Sequence, residues 1–407
     1  MSTPARPLRV LLVSHYYPPH VGGIENVVRQ EAVHLVRQGA RVTVLTSGSP
    51  AEARAGAAAP ARPGADGVRV VRVAAWNGLE ERWGVPFPVL SPRLLPAALR
   101  WARWADVVHL HDCLYPTSWA AGAAAAVTRT PHVLTQHVAL VDHPSPLVRR
   151  AQRAVYAVAG RSLLRRARRV IVLNSSVAGF VAEHGARAGS VRHVPNGIDP
   201  AGFRPAGSRE ERDRARDRFR LPRDRMLVLF VGRLVPKKGS DLLLAAADPA
   251  YDLVFVGEGS QGGRADGRPG VHYLGALPPD AVTDAYRACD IFALPSTTEG
   301  FPLTVQEAMA SGLPVVTTDD PGYAPYGLDR DHVRLLPRDA GELHGALSAL
   351  AADTPLRERM GRYSRHYATS CFAWPEHTRT LLGLYRCALT GAVDERPPGT
   401  GAEAEAA

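Results

Sequence analysis

The sequence predicts an α/β protein of two doubly wound domains, each with a parallel sheet covered by helices. Two observations indicate this fold. Apolar strand-like runs alternate with helical periodicity over residues 8–173, and a second series of the same kind begins at Met226. Such alternation is typical of parallel sheets with helices on both faces. The 407 residues are also enough for two or three domains with sizeable cores.

Each predicted element follows from a local pattern of apolar and helix- or turn-forming residues. The strands of the first series are predicted at residues 8–14, 41–46, 68–73, 107–111, 132–136 and 170–173. The strands of the second series are predicted at residues 226–231, 252–256, 271–274, 290–294 and 314–317. Helices are predicted at residues 24–36, 241–247, 280–288, 305–311, 340–351 and 374–389.

The segments between these elements set the predicted domain boundaries. Residues 47–67 are rich in Ala, Pro and Gly and predict a mobile loop, and the mixed-charge run 209–218 suits a linker or an exposed helix. We therefore expect an N-terminal domain over residues 1–205 and a C-terminal domain over residues 206–370. The tail 391–407 has no apolar periodicity and is predicted to be disordered.

The composition excludes several classes of protein. With 45% hydrophobic and 22% charged residues, the chain has the balance of an ordinary soluble globular protein. No apolar run approaches the roughly 18 to 20 residues that span a bilayer, and the N-terminus does not resemble a signal peptide. The four cysteines show no metal-type spacing, so buried thiols are expected. The expected location is the cytoplasm.

The net charge of +10 is concentrated in part on a basic amphipathic stretch, residues 147–169. A helix of this kind would suit the cytoplasmic face of an anionic membrane as a peripheral surface. The alternative, which we favour at this point, is a helix packed on its own sheet with a solvated basic edge. No nucleic-acid partner is expected, because no recognised binding module accompanies the charge.

An acidic corner follows the strand predicted at residues 290–294. Glu299 lies in the loop after that strand, and Glu307 lies inside the next helix, which Pro302 opens. A strand–loop–helix corner directs free backbone N–H groups at one point and is a natural anion site. Two acids beside an anion site suit hydroxyl-rich groups attached to the anion, such as a ribose and a sugar.

A basic loop follows the first strand of the second series. Arg233 and Lys238 leave the strand tip and the loop after it, where both cations can converge on a diphosphate. In the first series, Gly22 and Gly23 follow the first strand and resemble a phosphate cradle, although a plain turn is the alternative.

Three further patterns carry weaker signals. The run Gly257-x-Gly259-x-x-Gly262 follows a strand, but no helix start and no acid at the next strand end support an NAD-dependent oxidoreductase. His109 and His111 share a face of one strand without a third ligand marked in the sequence, so no metal site is expected. His137 lies at the tip of the strand predicted at residues 132–136 and is placed to contact a ligand.

These motifs together resemble glycosyltransferase family 4, whose members are retaining nucleotide-sugar enzymes. The residues that carry the resemblance are listed by segment: the E-x7-E run from Glu299 to Glu307 with its continuation to Val316, the G-R-L-x-x-x-K-G run from Gly232 to Gly239, the Asn-Gly-Ile-Asp turn at 196–199, and Gly22-Gly23. The resemblance spans nearly the whole chain. It implies the GT-B fold, in which two Rossmann-like domains face each other across a cleft and the last helix, at residues 371–390, returns to the N-terminal domain.

The resemblance also implies roles for single residues. Glu307 would hold the nucleotide ribose, Glu299 would contact the donor sugar, and Arg233 and Lys238 would neutralise the departing diphosphate. Backbone amides around Gly300, Phe301, Leu303 and Thr304 would bind sugar hydroxyls and phosphate. Gly22 and Gly23 would lie against the donor phosphates or the acceptor, and His137 matches a histidine of the family's cleft.

The function expected from the resemblance is retaining transfer of a hexose-type sugar from a nucleotide-diphosphate sugar to a hydroxyl acceptor. The acceptor would be a glycan, a glycolipid or a small molecule, including lipid-linked or envelope glycans, and no cofactor or metal is expected. A non-catalytic nucleotide-sugar- or polysaccharide-binding protein on the same scaffold is the alternative. Asp319-Asp320 stands where the family often has a Gly-Gly pair, and Pro302 stands where it often has Gly.

Overall fold

The structure is a computed structural model that describes residues 6–20, 23–58, 64–76, 89–140, 145–265, 267–297 and 301–392. Two compact units emerge. The N-terminal unit contains the chain up to Gly197 and again from Trp374, and the C-terminal unit contains the segment from Ile198 to Ala373. The boundary predicted at residue 205 thus lies eight residues beyond Gly197. Each unit is built around its own parallel sheet.

The described strands of the N-terminal unit form one sheet. They are β1 (Arg9–Val13), β2 (Arg41–Gly48), β3 (Arg69–Trp76), β4 (Val89–Leu90), β5 (Val107–His111), β6 (His132–Gln136), β7 (Arg169–Val172) and β8 (Val191–His193). Their order is β4-β3-β2-β1-β5-β6-β7-β8, and every pair is parallel except β3 with β4. The short strands β4 and β8 are absent from the sequence prediction.

The helices of this unit pack on that sheet. They span Gly23–Arg37, Pro50–Ala58, Leu94–Trp104, Pro116–Thr128, Pro146–Val155, Arg161–Arg166, Ser175–Glu183 and Trp374–Thr390, with a π-helical turn at Tyr156–Gly160. The last helix buries Leu381 and Tyr385 in the same cluster as Val10 of β1 and Val28 of the first helix. The C-terminal end of the chain therefore completes the core of the N-terminal unit.

The helix Pro50–Ala58 corrects the loop predicted over residues 47–67. Ser49 Oγ accepts from the Glu52 amide at 3.2 Å, and Glu52 Oε2 accepts from the Ser49 amide at 2.7 Å. This reciprocal pair is a capping box, which satisfies two backbone donors of the first helical turn. The sequence signal Ser-x-x-Glu was present at residues 49–52, but the high content of Ala, Pro and Gly obscured it.

The C-terminal unit contains a second sheet of described strands. They are β9 (Leu227–Val231), β10 (Asp252–Val256), β11 (Val271–Tyr273), β12 (Ile291–Leu294), β13 (Val315–Thr318) and β14 (Arg334–Leu336), in the order β11-β10-β9-β12-β13-β14, all parallel. The helices span Arg209–Arg218, Ser240–Ala245, Gly262–Ala265, Pro279–Ala288, Leu303–Ala310, Ala340–Ala352 and Thr354–Cys371. Short 3₁₀ turns lie at Pro236–Lys238 and Pro321–Tyr326.

The central strands of this sheet are apolar along their whole length. β9 and β12 bury every side chain, as expected for parallel strands that are covered by helices on both faces. The mixed-charge run is the helix Arg209–Arg218 rather than a linker. Its Arg216 is 2% exposed and donates to Asp290 Oδ2 at 2.8 Å and to the Ala288 carbonyl at 2.8 Å, which fixes the helix against the start of β12.

Both strand orders reverse direction at one point, between β1 and β5 in the first sheet and between β9 and β12 in the second. In open parallel sheets, ligands bind beyond the carboxyl ends of the strands at such a switch point. The loops that follow these four strands are therefore where a site is expected in each unit.

The basic stretch 147–169 consists of the helices Pro146–Val155 and Arg161–Arg166 joined by the π-helical turn. Its inward stripe buries apolar side chains, among them Val148, Tyr156 and Leu164. Of the apolar residues in this stretch, Leu147 and Val158 are the strongly exposed ones, at 74% and 75%. Most of the apolar face therefore packs on the protein itself. No helix in the described part of the chain is long and apolar enough to cross a membrane.

Candidate active site

The two loops at the switch point of the C-terminal unit touch each other. The amide of Thr297, in the loop after β12, donates to the carbonyl of Lys237, in the loop after β9, at 2.9 Å. Gly239 has φ +77°, and a Cβ there would lie 2.1 Å from the carbonyl oxygen of Pro295. Only glycine permits this approach. The basic loop and the start of the acidic corner are thus held together by backbone contacts.

The two predicted cations lie on the basic loop at this edge of the sheet. Arg233 is the second residue after β9 and is exposed, and its guanidinium has no hydrogen-bonding or ionic partner among the described residues. Lys238 ends the 3₁₀ turn Pro236–Lys238 and is half-buried. Leu234 between them is fully buried and anchors the loop in the core. The loop therefore has a fixed backbone and carries a cation that is accessible to an anionic ligand.

The Gly257-x-Gly259-x-x-Gly262 pattern has a structural explanation in the same place. Gly257 has φ +124° and a Cβ there would lie 2.1 Å from the Gly232 carbonyl oxygen, and a Cβ at Gly259 would lie 2.3 Å from the Leu234 carbonyl oxygen. The amide of Leu234 also donates to the Glu258 carbonyl at 2.9 Å. These glycines let the loop after β10 support the basic loop.

Glu307 lies inside the helix Leu303–Ala310, one turn from its start. Its Oε2 accepts from the hydroxyl of Tyr286 at 2.9 Å, and that hydroxyl also lies 3.2 Å from the Thr304 carbonyl oxygen. Burial raises the pKa of Glu307 to about 7, although the Tyr286 hydrogen bond partly offsets this. Part of the residue remains accessible. The carboxylate is thus oriented by one donor and can accept more hydrogen bonds from a ligand.

The other predicted residues of the acidic corner, which are the amide donors and Glu299, fall into three groups. Leu303 and Thr304 form the first turn of their helix, where backbone N–H groups have no intrahelical acceptor. Phe301 is 6% exposed, and its ring packs against Tyr326 and Phe372 at centroid distances of 4.5 and 5.0 Å, so its side chain belongs to the core. Glu299 and Gly300 lie outside the described residues.

In the N-terminal unit, the loop after β1 contains the predicted glycine pair. Gly22 lies outside the described residues. Gly23 begins the helix Gly23–Arg37, and a Cβ there would meet nothing within 4 Å. Packing within the described residues therefore does not require a glycine at 23.

His137 lies directly after β6 and is held at both its backbone and its ring. Its amide donates to Asp112 Oδ1 at 2.9 Å, and its Nε2 lies 3.0 Å from Nδ1 of His111. Asp112 itself has φ +61°, a left-handed conformation that is costly for a residue with a side chain. Burial raises the pKa of Asp112 to about 6, partly offset by the His137 amide.

A buried group behind His137 is absent from the sequence prediction. Glu31 of the helix Gly23–Arg37 is 1% exposed and brings Oε2 to 3.3 Å from Nε2 of His111 and Oε1 to 3.0 Å from Nε2 of His377. Glu31, His109 and His111 place one potential ligand atom each within 4.8 Å of one another. The sequence did contain a signal for Glu31, because this carboxylate lies between Val28 and Leu35 on the apolar face of the helix.

Family models match both units. The model for glycosyltransferase family 4 matches residues 21–201, and the model for glycosyl transferases group 1 matches residues 211–367. D-inositol 3-phosphate glycosyltransferase from Mycolicibacterium smegmatis is 31% identical over 420 residues, which cover 94% of this chain and 92% of the relative. The chain belongs to glycosyltransferase family 4. The corresponding enzyme of Acidothermus cellulolyticus is 30% identical, with 95% of this chain and 92% of the relative covered.

Solved structures of other proteins have the same fold as this family 4 glycosyltransferase. Anabaena HepE in complex with UDP matches with a TM-score of 0.72 at 19% identity, covering 92% of this chain and 99% of the other. A glycosyltransferase of Rickettsia africae matches with a TM-score of 0.71 at 15% identity, covering 95% and 100%. These likenesses confirm the predicted GT-B fold class with its two doubly wound domains. The oxidoreductase alternative is wrong, and the enzyme class is transferase.

Proposed function

We propose that this enzyme transfers a hexose-type sugar from a nucleotide-diphosphate sugar to a hydroxyl acceptor, with retention at the anomeric carbon. One observation supports the donor assignment most directly: the hydrogen bond between Thr297 and Lys237 joins the basic loop to the acidic corner at the switch point. Arg233, Lys238 and Glu307 then lie on elements that follow two neighbouring strands of the sheet. The HepE structures contain UDP, or UDP with glucose, or UDP-glucose, which makes a uridine nucleotide the first donor to test.

The basic loop is proposed to bind the donor diphosphate. Arg233 offers a planar fork of donors and Lys238 a point charge, and both suit phosphate oxygens. The first-turn amides of Leu303 and Thr304, with the neighbouring amides of Gly300 and Phe301, would add backbone donors and the positive end of a helix. Gly22 and Gly23 are proposed to let substrate phosphate approach the backbone of the N-terminal unit.

The acidic corner is proposed to bind hydroxyl groups. Glu307, oriented by Tyr286, would accept hydrogen bonds from both ribose hydroxyls, which would compensate the carboxylate for the water it has lost. Glu299 would contact the donor sugar near the reacting carbon, and His137 would contact a substrate hydroxyl. In this proposal, each of these side chains binds the substrate and none of them attacks the anomeric carbon as a nucleophile.

This arrangement favours attack by the acceptor on the same face from which the diphosphate leaves. The acceptor oxygen bonds to the anomeric carbon as the bond to the diphosphate breaks, and the departing phosphate oxygen takes the acceptor proton. Negative charge therefore grows on the leaving group, which is where Arg233 and Lys238 would stabilise it. Glu299 and Glu307 hold the sugar and the ribose fixed during this step.

Calorimetry with UDP, GDP and ADP tests the roles of the two glutamates. Glu307→Ala should weaken binding of the free nucleotide diphosphate, whereas Glu299→Ala should leave it nearly unchanged and slow sugar transfer strongly. Glu342→Ala, an exposed acid on another helix of the same unit, is the matched control. The opposite pattern for the two glutamates would overturn the assignment. Activity that is lost in EDTA and restored by magnesium or manganese would contradict the proposal that side chains alone neutralise the diphosphate.

The acceptor is proposed to be a hydroxyl of a glycan, a glycolipid or a small polyol. The relatives are named D-inositol 3-phosphate glycosyltransferases, so D-inositol 3-phosphate is the first small acceptor to test. A membrane-bound acceptor would require contact through the basic stretch, where Leu147 and Val158 are exposed. Sedimentation with anionic vesicles should then fall in a Leu147→Ser/Val158→Ser double variant. Equal sedimentation of variant and wild type would exclude this surface as the membrane contact.

A further inference from the structure

The buried polar groups behind His137 form a continuous chain from one carboxylate. Glu31 Oε2 lies 3.3 Å from Nε2 of His111, and Nδ1 of His111 lies 3.0 Å from Nε2 of His137. Glu31 and His111 are both 1% exposed, and His137 is 6% exposed. The chain thus runs from inside the core of the N-terminal unit to the tip of β6.

The partners of His377 fix the charge at the inner end of this chain. Its Nδ1 lies 2.7 Å from the Pro195 carbonyl oxygen and its Nε2 lies 3.0 Å from Glu31 Oε1. Both neighbours are acceptors, so both ring nitrogens of His377 are placed to donate. Burial alone would raise the pKa of Glu31, but His111 and His377 hold it well below its ordinary value. Glu31 is therefore an anion whose two oxygens face the rings of His377 and His111.

The same carboxylate sets the tautomer of His111. A buried ring that carried a charge without its own counter-charge would be costly. The Nε2 of His111 faces the anionic Oε2 of Glu31, so the ring proton belongs there, although the contact is too poorly aligned to count as a full hydrogen bond. Nδ1 of His111 then has a lone pair, and Nε2–H of His137 donates to it.

The other charged and titratable groups that face this chain do not disturb it. His109 places Nδ1 2.7 Å from the hydroxyl of Tyr385 and Nε2 2.7 Å from the hydroxyl of Thr135, so both of its nitrogens are engaged. Asp112 accepts from the backbone amide of His137 and not from its ring. Because both nitrogens of His109 are engaged, a metal ion bound to one of them with Glu31 and His111 would have to displace one of these two short hydrogen bonds.

We propose that Glu31 and His111 are positioning residues that hold His137 in its Nε2–H tautomer and present the Nδ1 lone pair to a substrate hydroxyl. Nδ1 of His137 has no hydrogen-bonding partner within the described part of the chain. A hydroxyl that donates there is fixed in orientation, and the anion at the far end of the chain strengthens the acceptor. The catalytic consequence depends on the proposed function, whereas the tautomer does not.

Nuclear magnetic resonance of the substrate-free, full-length protein tests the tautomer directly. With ¹⁵N-labelled histidine, long-range proton–nitrogen correlations should show His137 protonated at Nε2 and not at Nδ1, with His137→Asn used to assign its signals. Glu31→Gln and His111→Leu should each shift His137 toward a mixture of tautomers. A wild-type His137 protonated at Nδ1, or one that neither substitution changes, would overturn the proposal.

Kinetics separate positioning from a merely structural role. His111→Leu should lower kcat about tenfold with little change in the acceptor KM, the effect expected from one lost hydrogen bond. His111→Asn keeps an amide oxygen that can accept from His137 and should recover most of that loss. His132→Asn is the control, because His132 is buried on the neighbouring strand β6 but bonds to the Leu163 carbonyl. Equal losses in His111→Leu and His111→Asn, or a loss no greater than in the control, would contradict the role.

Two further outcomes distinguish a failure of the tautomer proposal from a failure of the proposed function. Stoichiometric zinc in the purified protein, removed by Glu31→Gln, would overturn the hydrogen-bonded chain in favour of a metal site. Absence of turnover with every nucleotide sugar would remove the proposed function but would leave the tautomer measurement intact, because that measurement needs no substrate.

Discussion

Each unit contains a glutamate withdrawn from water, and the pKa values of the two move in opposite directions. Glu31 in the N-terminal unit is held well below its ordinary pKa because His111 and His377 overcome the effect of burial. Glu307 in the C-terminal unit has only the Tyr286 hydroxyl, and burial raises its pKa to about 7. The first carboxylate has its partners already. The second would gain further partners from a ligand in the proposed function.

The basic side chains show the same contrast. The ring of His377 is 5% exposed and hydrogen-bonded within the protein, whereas Arg233 is exposed and has no partner among the described residues. One unit therefore contains a preformed polar network, and the other contains an accessible cation that, in the proposed function, an anionic ligand would balance. The two should respond differently to substitution, one in stability and the other in rate.

The largest expected effect is on the stability of the network. Glu31→Ala should lower the free energy of unfolding by about 3–5 kcal/mol, because it removes the buried carboxylate that the rings of His377 and His111 face. Urea denaturation at pH 7 measures this. The double variant Glu31→Leu/His377→Leu should be more stable than Glu31→Ala, since it removes both partners of the buried contact. A double variant that is less stable than Glu31→Ala would contradict this contact.

The next effect is on the rate of transfer. Arg233→Ala and Lys238→Ala should each slow transfer about a hundredfold or more, equivalent to roughly 2 to 4 kcal/mol of transition-state stabilisation, with little change in melting temperature. Lys237→Ala is the matched control, because Lys237 is exposed on the same turn and its carbonyl contact with Thr297 survives the substitution. If Lys237→Ala slowed transfer as much as Lys238→Ala, general charge would explain the effect better than a specific phosphate contact.

A smaller effect concerns the backbone support of the basic loop. Gly257→Ala should destabilise the protein by about 2 kcal/mol, because φ is positive and the new Cβ would lie 2.1 Å from the Gly232 carbonyl oxygen. Thermal denaturation measures the loss. Gly263→Ala, where a Cβ would meet nothing within 4 Å, should be nearly neutral. Similar behaviour of the two variants would show that the close approach does not constrain the loop.

The smallest effect is a dependence of stability on pH. Because the pKa of Glu307 is raised from 4.5 to about 7 in the folded state, the native protein binds more protons than the unfolded chain between those values. Glu307 therefore costs stability as pH rises through that window, by about 1–3 kcal/mol. Glu307→Gln should raise the melting temperature at pH 8 more than at pH 5, and Glu342→Gln should not. A gain equal at both pH values would show that charge is not the cause.

Much of the fold and part of the site could be predicted from local patterns. Strands such as β5 and β10 were predicted with their observed bounds, because a short buried apolar run bounded by polar residues is a strong signal. Edge strands of three residues, β8 and β14, gave no such signal. The helix Thr354–Cys371 was also missed, because its many arginines and other polar residues obscure its apolar stripe.

The residues of the candidate site also differ in whether a local pattern marks them. Arg233, Lys238, Glu307 and His137 could be proposed as site residues because they lie in motifs that follow strand ends, and these roles remain predictions. Tyr286, Glu31 and His377 could not, because their roles depend on partners far away in the chain, such as the 346 residues between Glu31 and His377. Sequence periodicity reports which face of an element is buried. It does not report which buried polar groups meet.

The amino-acid sequence by itself determined the alternation of strands and helices, the glycine and charge motifs at the strand ends, and through them the family. Only the tertiary structure decided that the glycines after β10 support the basic loop, that Tyr286 orients Glu307, and that a carboxylate lies behind His137. The physical reason is the distance along the chain over which each interaction acts. Local propensity acts over a few residues, whereas the energy of a buried charge or a close backbone approach depends on neighbours that only the folded chain brings together.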